Sequence, residues 1–208
     1  MKKILIAIAI TALFGAGLWL GMVQQRGEQL EILMQDQVVT VLKTPKPLSE
    51  FVLQDQDRKK FDLSQLRGKW SLVFFGYTNC PDICPTTLAT LNQLHKELAK
   101  NAKGTEDVQF IFVSVDPGRD NSDKLKRYVK YFNKDFIGVT GDKEEIAGLA
   151  GQLGAHYEVL EKPGEKNYGV NHTAAIFIID KKGRYFGLMS PPLNPSAMAI
   201  RIELIKQL

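Results

Sequence analysis

The fold is decided by residues 70–99, which read WSLVFFGYTNCPDICPTTLATLNQLHKELA. The run Trp70–Phe75 is continuously apolar and of strand length, which predicts a strand buried on both faces. The segment Thr86–Ala99 predicts an amphipathic helix, because leucines recur at helical spacing at Leu88, Leu91, Leu94 and Leu98. A second apolar run, Val108–Val115, follows this helix. The three elements form a βαβ unit, whose right-handed crossover makes the two strands parallel.

The patterns after this unit extend the sheet and add helices. Helices are predicted over Ser122–Phe132 with Ser122 as the N-cap, from Asp142 to Leu153 with a stop at Gly154, and over Pro195–Gln207. Strands are predicted at Phe136–Val139, Ala174–Asp180 and Arg184–Leu188, the last two joined by a hairpin turn at Lys181-Lys182-Gly183. The expected fold class is α/β, a central mixed sheet with flanking helices on both faces. That order, with two cysteines after the first central strand, resembles the thioredoxin fold.

The composition fits one ordinary globular domain with a modest basic excess. The 208 residues carry a formal net charge of +4, 44% of them are hydrophobic, and two are cysteines. This apolar fraction excludes a disordered chain, and two cysteines cannot form the multi-bridge framework of a small secreted protein. The lysines are scattered among Glu and Asp rather than gathered in a stripe with aromatic residues, so no nucleic-acid partner is expected.

The N-terminal residues have the pattern of a membrane anchor. Residues Ile4–Val23 carry no charge and follow Lys2 and Lys3. A helix of that length, at ~1.5 Å rise per residue, spans the ~30 Å hydrocarbon core of a bilayer. A cleaved signal peptide is the competing interpretation, because Gly15-Ala16-Gly17 offers small residues to a peptidase, but the apolar run continues beyond them. We therefore predict one transmembrane helix over residues 1–23, with its N-terminus in the cytoplasm.

The remainder of the chain divides into a stalk and a folded domain. Residues 24–46 are polar with scattered aliphatic side chains, and they end at Thr44-Pro45-Lys46-Pro47, where the prolines disfavour helix. The sequence thus predicts a stalk or linker over 24–46 and a thioredoxin-like domain over 47–208. The expected location is the cell inner membrane, in a single pass, with the domain on the periplasmic or extracytoplasmic side.

Cys80 and Cys84 lie four residues apart, where the first central strand meets its helix. Because helix N-termini favour anions, this position is expected to lower the pKa of the thiols and to present the pair near the surface. Pro85 is expected at the first helical position, and Pro81 is expected to stiffen the loop. Three interpretations stay open: an inert or structural pair, a redox-active disulfide, and a site for a soft metal ion, either Cu(I) or Zn(II).

A metal ion held by two thiolates needs a third ligand, and the chain has three histidines. His95 lies eleven residues after Cys84, or ~16 Å along a helix, so it is expected at the solvated surface. For His156, only the residue type favours a role as a metal ligand. His172 precedes the strand Ala174–Asp180, and in a thioredoxin-like sheet that loop faces the cysteine loop. His172 is therefore the predicted third ligand, in a loop where thioredoxin-like oxidoreductases usually carry a cis-proline.

Taken together, several spaced motifs resemble those of the Sco/SenC copper chaperones. The motifs are Phe75-Gly76-Tyr77-Thr78, Cys80-Pro81-Asp82-Ile83-Cys84-Pro85, Ser114-Val115-Asp116-Pro117 with Arg119-Asp120, Gly141, and His172-Thr173. The resemblance covers about residues 47–207 and implies one copper ion, Cu(I) or Cu(II), bound by Cys80, Cys84 and His172. It also implies a role in assembling the binuclear copper site of cytochrome c oxidase subunit II, or in serving another copper acceptor or donor protein.

Two further observations concern residues near the predicted ligands that are not themselves expected to bind the metal. Asn171 stands where many members of the family have Asp, which bears on the affinity for oxidised copper. Asp116, Arg119 and Asp120 match a family signature, but they are expected to cap the loop before the next helix rather than to bind metal.

The resulting hypothesis is a membrane-anchored copper chaperone, not an enzyme, that transfers its ion by ligand exchange. The alternative is a thiol–disulfide oxidoreductase acting on cysteines of the oxidase or of other extracytoplasmic proteins. In that case Cys80 attacks a disulfide of the partner and Cys84 completes the exchange.

Overall fold

The computed structural model describes residues 2–34, 36–101, 104–160 and 168–208. Its helices are Lys2–Met34 (α1), Ile83–Leu98 (α2), Ser122–Phe132 (α3), Lys143–Leu153 (α4) and Pro195–Lys206 (α5), with a short 3₁₀ helix at Leu63–Leu66. Its strands are Thr40–Pro47 (β1), Val52–Asp55 (β2), Lys60–Asp62 (β3), Trp70–Gly76 (β4), Val108–Ser114 (β5), Ile137–Thr140 (β6), Tyr157–Val159 (β7), Val170–His172 (β8), Ile176–Ile179 (β9) and Arg184–Met189 (β10).

The central sheet is mixed, as the sequence predicts. In the described part of the chain, eight strands form one sheet in the order β1-β10-β9-β4-β5-β6-β2-β3, and β7 pairs with β8 separately. β4 runs parallel to β5, and β5 runs parallel to β6, while β9 and β10 are antiparallel. Every residue of β4 is buried, which requires that both faces of the sheet are covered. The predicted βαβ unit, the hairpin and the α/β class of fold are confirmed.

The sequence predicts that the folded domain starts at Pro47. In the structure the folded part of the chain begins earlier. Residues Thr40–Pro47 form the edge strand β1 rather than the end of a stalk, and they pair with β10. Val39 and Val41 are buried, and Asp36 makes an ion pair with Arg201 of α5. The prolines suggested a linker, but an edge strand tolerates proline because one side of it needs no ladder hydrogen bonds.

The N-terminal helix is the element on which prediction and structure differ most. α1 runs to Met34, beyond the predicted end at residue 23, and the buried side chain of Leu33 packs into the hydrophobic core. Among the residues that the structure describes, no helix combines the length and the apolar character needed to cross a membrane. The transmembrane helix predicted over residues 1–23 is thus not supported by the structure.

Two helix starts also differ from the prediction. The N-cap of α3 is Asn121 rather than Ser122, because the extended backbone of Asn121 lets its side-chain oxygen accept the N–H of Lys124. α2 begins at Ile83, so Pro85 occupies its third position and not its first. The earlier start places Cys84 inside the first turn of α2, which determines the geometry of the cysteine pair.

Candidate metal centre

The loop between β4 and α2 carries the first two predicted site residues. Cys80 lies in this loop and is half-buried, whereas Cys84 lies on α2 and is completely buried. The backbone N–H of Cys84 points at the sulfur of Cys80 with an N···Sγ distance of 3.4 Å. The two residues therefore differ in access: one sulfur is reachable from solvent, and the other belongs to the core.

Burial reverses one expectation about these thiols. Removal from water raises the pKa of Cys84 far above that of an ordinary thiol, and the neighbouring sulfur of Cys80 adds to the shift. The prediction that the helix N-terminus lowers its pKa, with both thiols near the surface, is wrong for Cys84. Desolvation of a thiolate outweighs the partial charge at a helix end. A positive ion between the sulfurs would remove this penalty.

His172 lies at the end of β8, whose pairing with β7 places it opposite Tyr157. Its Nε2 lies 3.3 Å from the sulfur of Cys84, and its Nδ1 lies 3.3 Å from the carbonyl oxygen of Thr173. A proton on Nδ1 can be donated to that carbonyl, which leaves the Nε2 lone pair facing the sulfur. Burial lowers the pKa of His172, so the ring is neutral at pH 7, the form in which histidine binds metals.

The three predicted site residues come together, although 88 residues separate Cys84 from His172. Their ligand atoms, two sulfurs and one imidazole nitrogen, all lie within 4.8 Å of one another. Two thiolates and an imidazole form a donor set that suits a soft ion such as Cu(I), which accepts three ligands. The residues present therefore fit a copper ion.

The other two histidines lie outside this cluster. His156, for which the sequence offered only its residue type, is exposed, and its backbone N–H donates to the hydroxyl of Thr173. His95 was expected at the solvated surface, but its ring packs 5.5 Å from that of Phe110 and its Nε2 lies 3.6 Å from Asp135. The side chain of His95 is only 18% exposed, because α2 turns this face toward the sheet.

Asp120 fixes the cysteine loop through hydrogen bonds, a role that the sequence did not predict. Its completely buried carboxylate accepts hydrogen bonds from the backbone N–H and hydroxyl of Thr78 and from the hydroxyl of Ser114. Lys124 donates to the same carboxylate and also to the side-chain oxygen of Asn79, at 2.8 Å. The two residues that precede Cys80 are thus held by a buried charged network.

Arg119 makes a second connection, to the segment that carries His172. Its guanidinium lies 3.5 Å above the ring of Tyr168 and donates to the Tyr168 carbonyl at 2.9 Å. Asp116 binds both partners, since it accepts from Arg119 Nε and from the Tyr168 hydroxyl. The ring of Tyr77 lies near both groups, since its centroid is 5.7 Å from the guanidinium carbon of Arg119 and 6.1 Å from the ring centroid of His172. Asp116 and Arg119 therefore do not only cap a loop, as the sequence predicted, but also hold Tyr168. Their match to the family motif was the one sequence feature that set these two residues apart.

Fold and site together define a thioredoxin-like protein with a two-cysteine, one-histidine centre of the kind that binds a soft metal ion. The sequence model described as SCO1/SenC matches residues 41–207, which is most of the chain. The protein therefore belongs to the SCO1/SenC family.

Individual relatives agree with this assignment. The chain is 32% identical over 178 residues to the human "Protein SCO2 homolog, mitochondrial", covering 86% of this chain and 66% of the human protein. Solution structures of apo Sco1 from Thermus thermophilus are similar with a TM-score of 0.71 and 38% identity, over 82% of this chain and 96% of that one. ScoI of Bradyrhizobium japonicum, solved with copper bound, is similar with a TM-score of 0.68 and 32% identity, over 78% and 99%.

Proposed function

We propose that the protein is a copper chaperone that holds one copper ion through Cys80, Cys84 and His172. The observation that carries the proposal is the convergence of three soft or borderline donor atoms within 4.8 Å. The neutral state of His172 and the buried position of Cys84 support it, because a bound cation would stabilise the buried thiolate. Copper in the similar ScoI structure from Bradyrhizobium japonicum points to the same ion.

The unequal burial of the ligands suits release as well as binding. Cys80 and His172 are both half-buried, so a partner's ligand can approach the ion from their side. Cys84 is buried and would be the last ligand to leave. A closed structural site with four buried ligands would resist such stepwise exchange.

The acceptor we propose is the binuclear copper site in subunit II of cytochrome c oxidase, with other copper donors and acceptors as alternatives. The support is family membership and the motifs around Cys80 and His172. We also propose a single-pass location in the inner membrane with the folded domain outside the cytoplasm. The uncharged run Ile4–Val23 after Lys2 and Lys3 supports this location. Retention of the full chain in carbonate-washed membranes would test it, and release into the soluble fraction would contradict it.

Thiol–disulfide exchange is the second candidate, and the unequal exposure of the two sulfurs favours it. The Cys80 thiolate would attack a disulfide of the partner, release one partner thiolate and form a mixed disulfide. Cys84, deprotonated, would then attack the Cys80 sulfur and release the second partner thiolate. Two electrons pass to the partner, and Cys80 and Cys84 end as a disulfide. The raised pKa of Cys84 slows the second step, which makes this the weaker candidate.

Anaerobic titration of the reduced full chain with Cu(I), against a chromophoric chelator, tests the binding proposal. Wild type should bind one ion. Cys80→Ser, Cys84→Ser and His172→Ala should each lose about 100-fold or more in affinity, because each removes a direct ligand and loss of an outer-shell partner alone costs about 10–100-fold. His156→Ala is the matched control, since this exposed histidine lies outside the cluster, and it should bind like wild type. Wild-type affinity in His172→Ala would refute the three-ligand site.

A second experiment separates the two candidate functions. The loaded protein is mixed with the copper-free soluble domain of oxidase subunit II, with its cysteines either reduced or joined in a disulfide. Copper transfer to the reduced domain supports the chaperone. Reduction of the disulfide by the copper-free protein, lost in Cys84→Ser, would support the oxidoreductase instead.

A further inference from the structure

The strand pair that carries His172, β7 with β8, lies outside the main sheet in the described part of the chain. β8 is three residues long, Val170–His172, and runs antiparallel to β7. An isolated pair of short strands is at best marginally stable, so its position depends on contacts with the rest of the protein. The direction in which the imidazole faces therefore depends on what holds this pair against the domain.

The chain from Tyr168 to His172 alternates in burial, as a strand does when one of its faces is turned inward. Val170 is buried, Tyr168 and His172 are half-buried, and the residues between them, Gly169 and Asn171, are exposed. Tyr168 and His172 thus lie on the same inward face of one extended segment. A contact that fixes the tyrosine also fixes the strand that presents the imidazole.

Tyr168 is held by a buried ion pair in the loop between β5 and α3. The guanidinium carbon of Arg119 lies 3.5 Å from the centroid of the Tyr168 ring, and Arg119 donates to the Tyr168 carbonyl oxygen at 2.9 Å. Asp116 accepts the Tyr168 hydroxyl at 2.9 Å and pairs with Arg119. The side chains of Asp116 and Arg119 are 3% and 14% exposed, so water competes little for these contacts.

The same loop also holds the cysteine side of the site. Asp120, its last residue, accepts the backbone N–H of Thr78 at 2.8 Å, two residues before Cys80. The backbone N–H of Asp120 donates to the carbonyl of Asp116 at 2.9 Å, which closes residues 116–120 into a turn. This turn therefore connects both of the segments that carry the predicted ligands.

We infer that Asp116 and Arg119 are positioning residues for the metal site, which hold His172 where it can bind the ion together with the two cysteines. The inference rests on the proposed function, because it assumes that His172 is a ligand. A ligand that is already held in its bound position loses less conformational freedom when the ion binds. The contact of these two residues with Tyr168 therefore raises the affinity for copper.

Two variants cut this connection from opposite ends. Arg119→Lys keeps a cation beside the buried Asp116 but loses the planar fork that stacks on Tyr168 and reaches its carbonyl. Tyr168→Ala removes the ring and the hydroxyl and leaves the ion pair of Asp116 with Arg119 in place, so it provides the test if Arg119→Lys does not fold. Arg127→Lys and Tyr131→Ala, at exposed positions of α3, are the matched controls.

Three quantities are measured on the full chain: amide hydrogen exchange of the metal-free protein, Cu(I) affinity by chelator competition, and the imidazole scattering in X-ray absorption of the Cu(I)-loaded protein. Both variants should speed exchange of the Thr173 N–H, which donates to the His156 carbonyl beside the β7–β8 ladder, by about tenfold or more. The Val115 N–H, which donates to Gly76 in the core, should keep its exchange rate. Cu(I) affinity should fall roughly tenfold and the imidazole scattering should weaken, whereas the controls should match wild type in all three.

A variant without the imidazole shows whether these residues act through it. His172→Ala alone should bind Cu(I) more weakly than wild type. Adding Arg119→Lys to His172→Ala should cause no further loss of affinity, because the ligand that Arg119 positions is gone. An equal loss with and without the imidazole overturns the inference, because Arg119 then acts on the site in some other way.

The outcomes separate this inference from the proposed function. Failure of the wild type to bind copper, or wild-type affinity in His172→Ala, overturns the proposed function and this inference with it. Wild-type Cu(I) affinity and imidazole scattering, in a variant whose Thr173 N–H exchanges faster, overturn this inference alone. Unchanged exchange of that N–H in both variants also overturns it, because the β7–β8 pair is then held by other contacts.

Discussion

Gly76 is the residue at which a single methyl group should disturb the metal site most directly. A Cβ atom built on Gly76 would lie 2.6 Å from the sulfur of Cys84 and 2.8 Å from Cε2 of Phe112. Unstrained contacts between non-bonded carbon atoms lie at about 3.5–4.0 Å. Either the sulfur or the ring must therefore move by about 1 Å, and both belong to residues with at most 1% exposure.

The displacement allows an estimate of how Gly76→Ala changes the stability of the metal-free protein and its affinity for Cu(I). Overpacking of a close-packed core costs about 1–3 kcal/mol, so the free energy of unfolding of the metal-free protein should fall by that amount. A ligand atom displaced by about 1 Å from the position that suits the other two should weaken Cu(I) binding by about 10–100-fold.

Urea unfolding of the metal-free protein and Cu(I) titration against a chelator measure the two effects. Gly151→Ala is the matched control, because Gly151 lies on the exposed side of α4 and a Cβ there meets no atom within 4 Å. This control should be stabilised by about 0.5–1 kcal/mol and should bind copper like wild type. Wild-type stability and affinity in Gly76→Ala would refute the packing argument.

Two further predictions concern buried charge and pH. Asp120→Asn should lower the free energy of unfolding by about 2–3 kcal/mol, because an amide accepts fewer of the hydrogen bonds from Thr78 and Lys124 than the carboxylate does. A change below about 0.5 kcal/mol, measured by urea unfolding, would contradict this. Burial raises the pKa of Asp107, but hydrogen bonds from Lys181 and Lys206 outweigh it and lower the pKa below 3.8. A lowered pKa contributes stability above 3.8 that is lost as pH falls through the folded-state value, so Asp107→Asn should reduce the slope of unfolding free energy against pH below about pH 4. Unchanged slopes between pH 2 and 6 would exclude that contribution.

The central elements could be predicted because their signals are local. β4 and β5 are continuously apolar, and the leucines of α2 repeat at helical spacing, so their burial follows from the chain itself. The edge strand β1 could not be predicted in this way. Its prolines and lysines are typical of a linker, and its place in the sheet depends on pairing with β10, which lies far away in the sequence.

The three ligand residues of the candidate site could be predicted from the sequence, but the residues that support them could not. Cys80 and Cys84 were indicated by their spacing, and His172 by its place before a central strand. The supporting groups were missed, because the contacts of Asp120 with Thr78 and of Arg119 with Tyr168 join segments that are 42 and 49 residues apart. No local pattern reports such contacts.

The sequence by itself determined which atoms are available for chemistry: two thiols four residues apart, a few histidines, and the strand and helix that hold the cysteines. Only the tertiary structure decided how those atoms differ. It buries Cys84 and leaves Cys80 half-exposed, and it brings the Nε2 atom of His172 to 3.3 Å from the buried sulfur. The physical reason is that burial and convergence arise from packing between distant segments, and burial sets the pKa of a thiol more strongly than its position on a helix does.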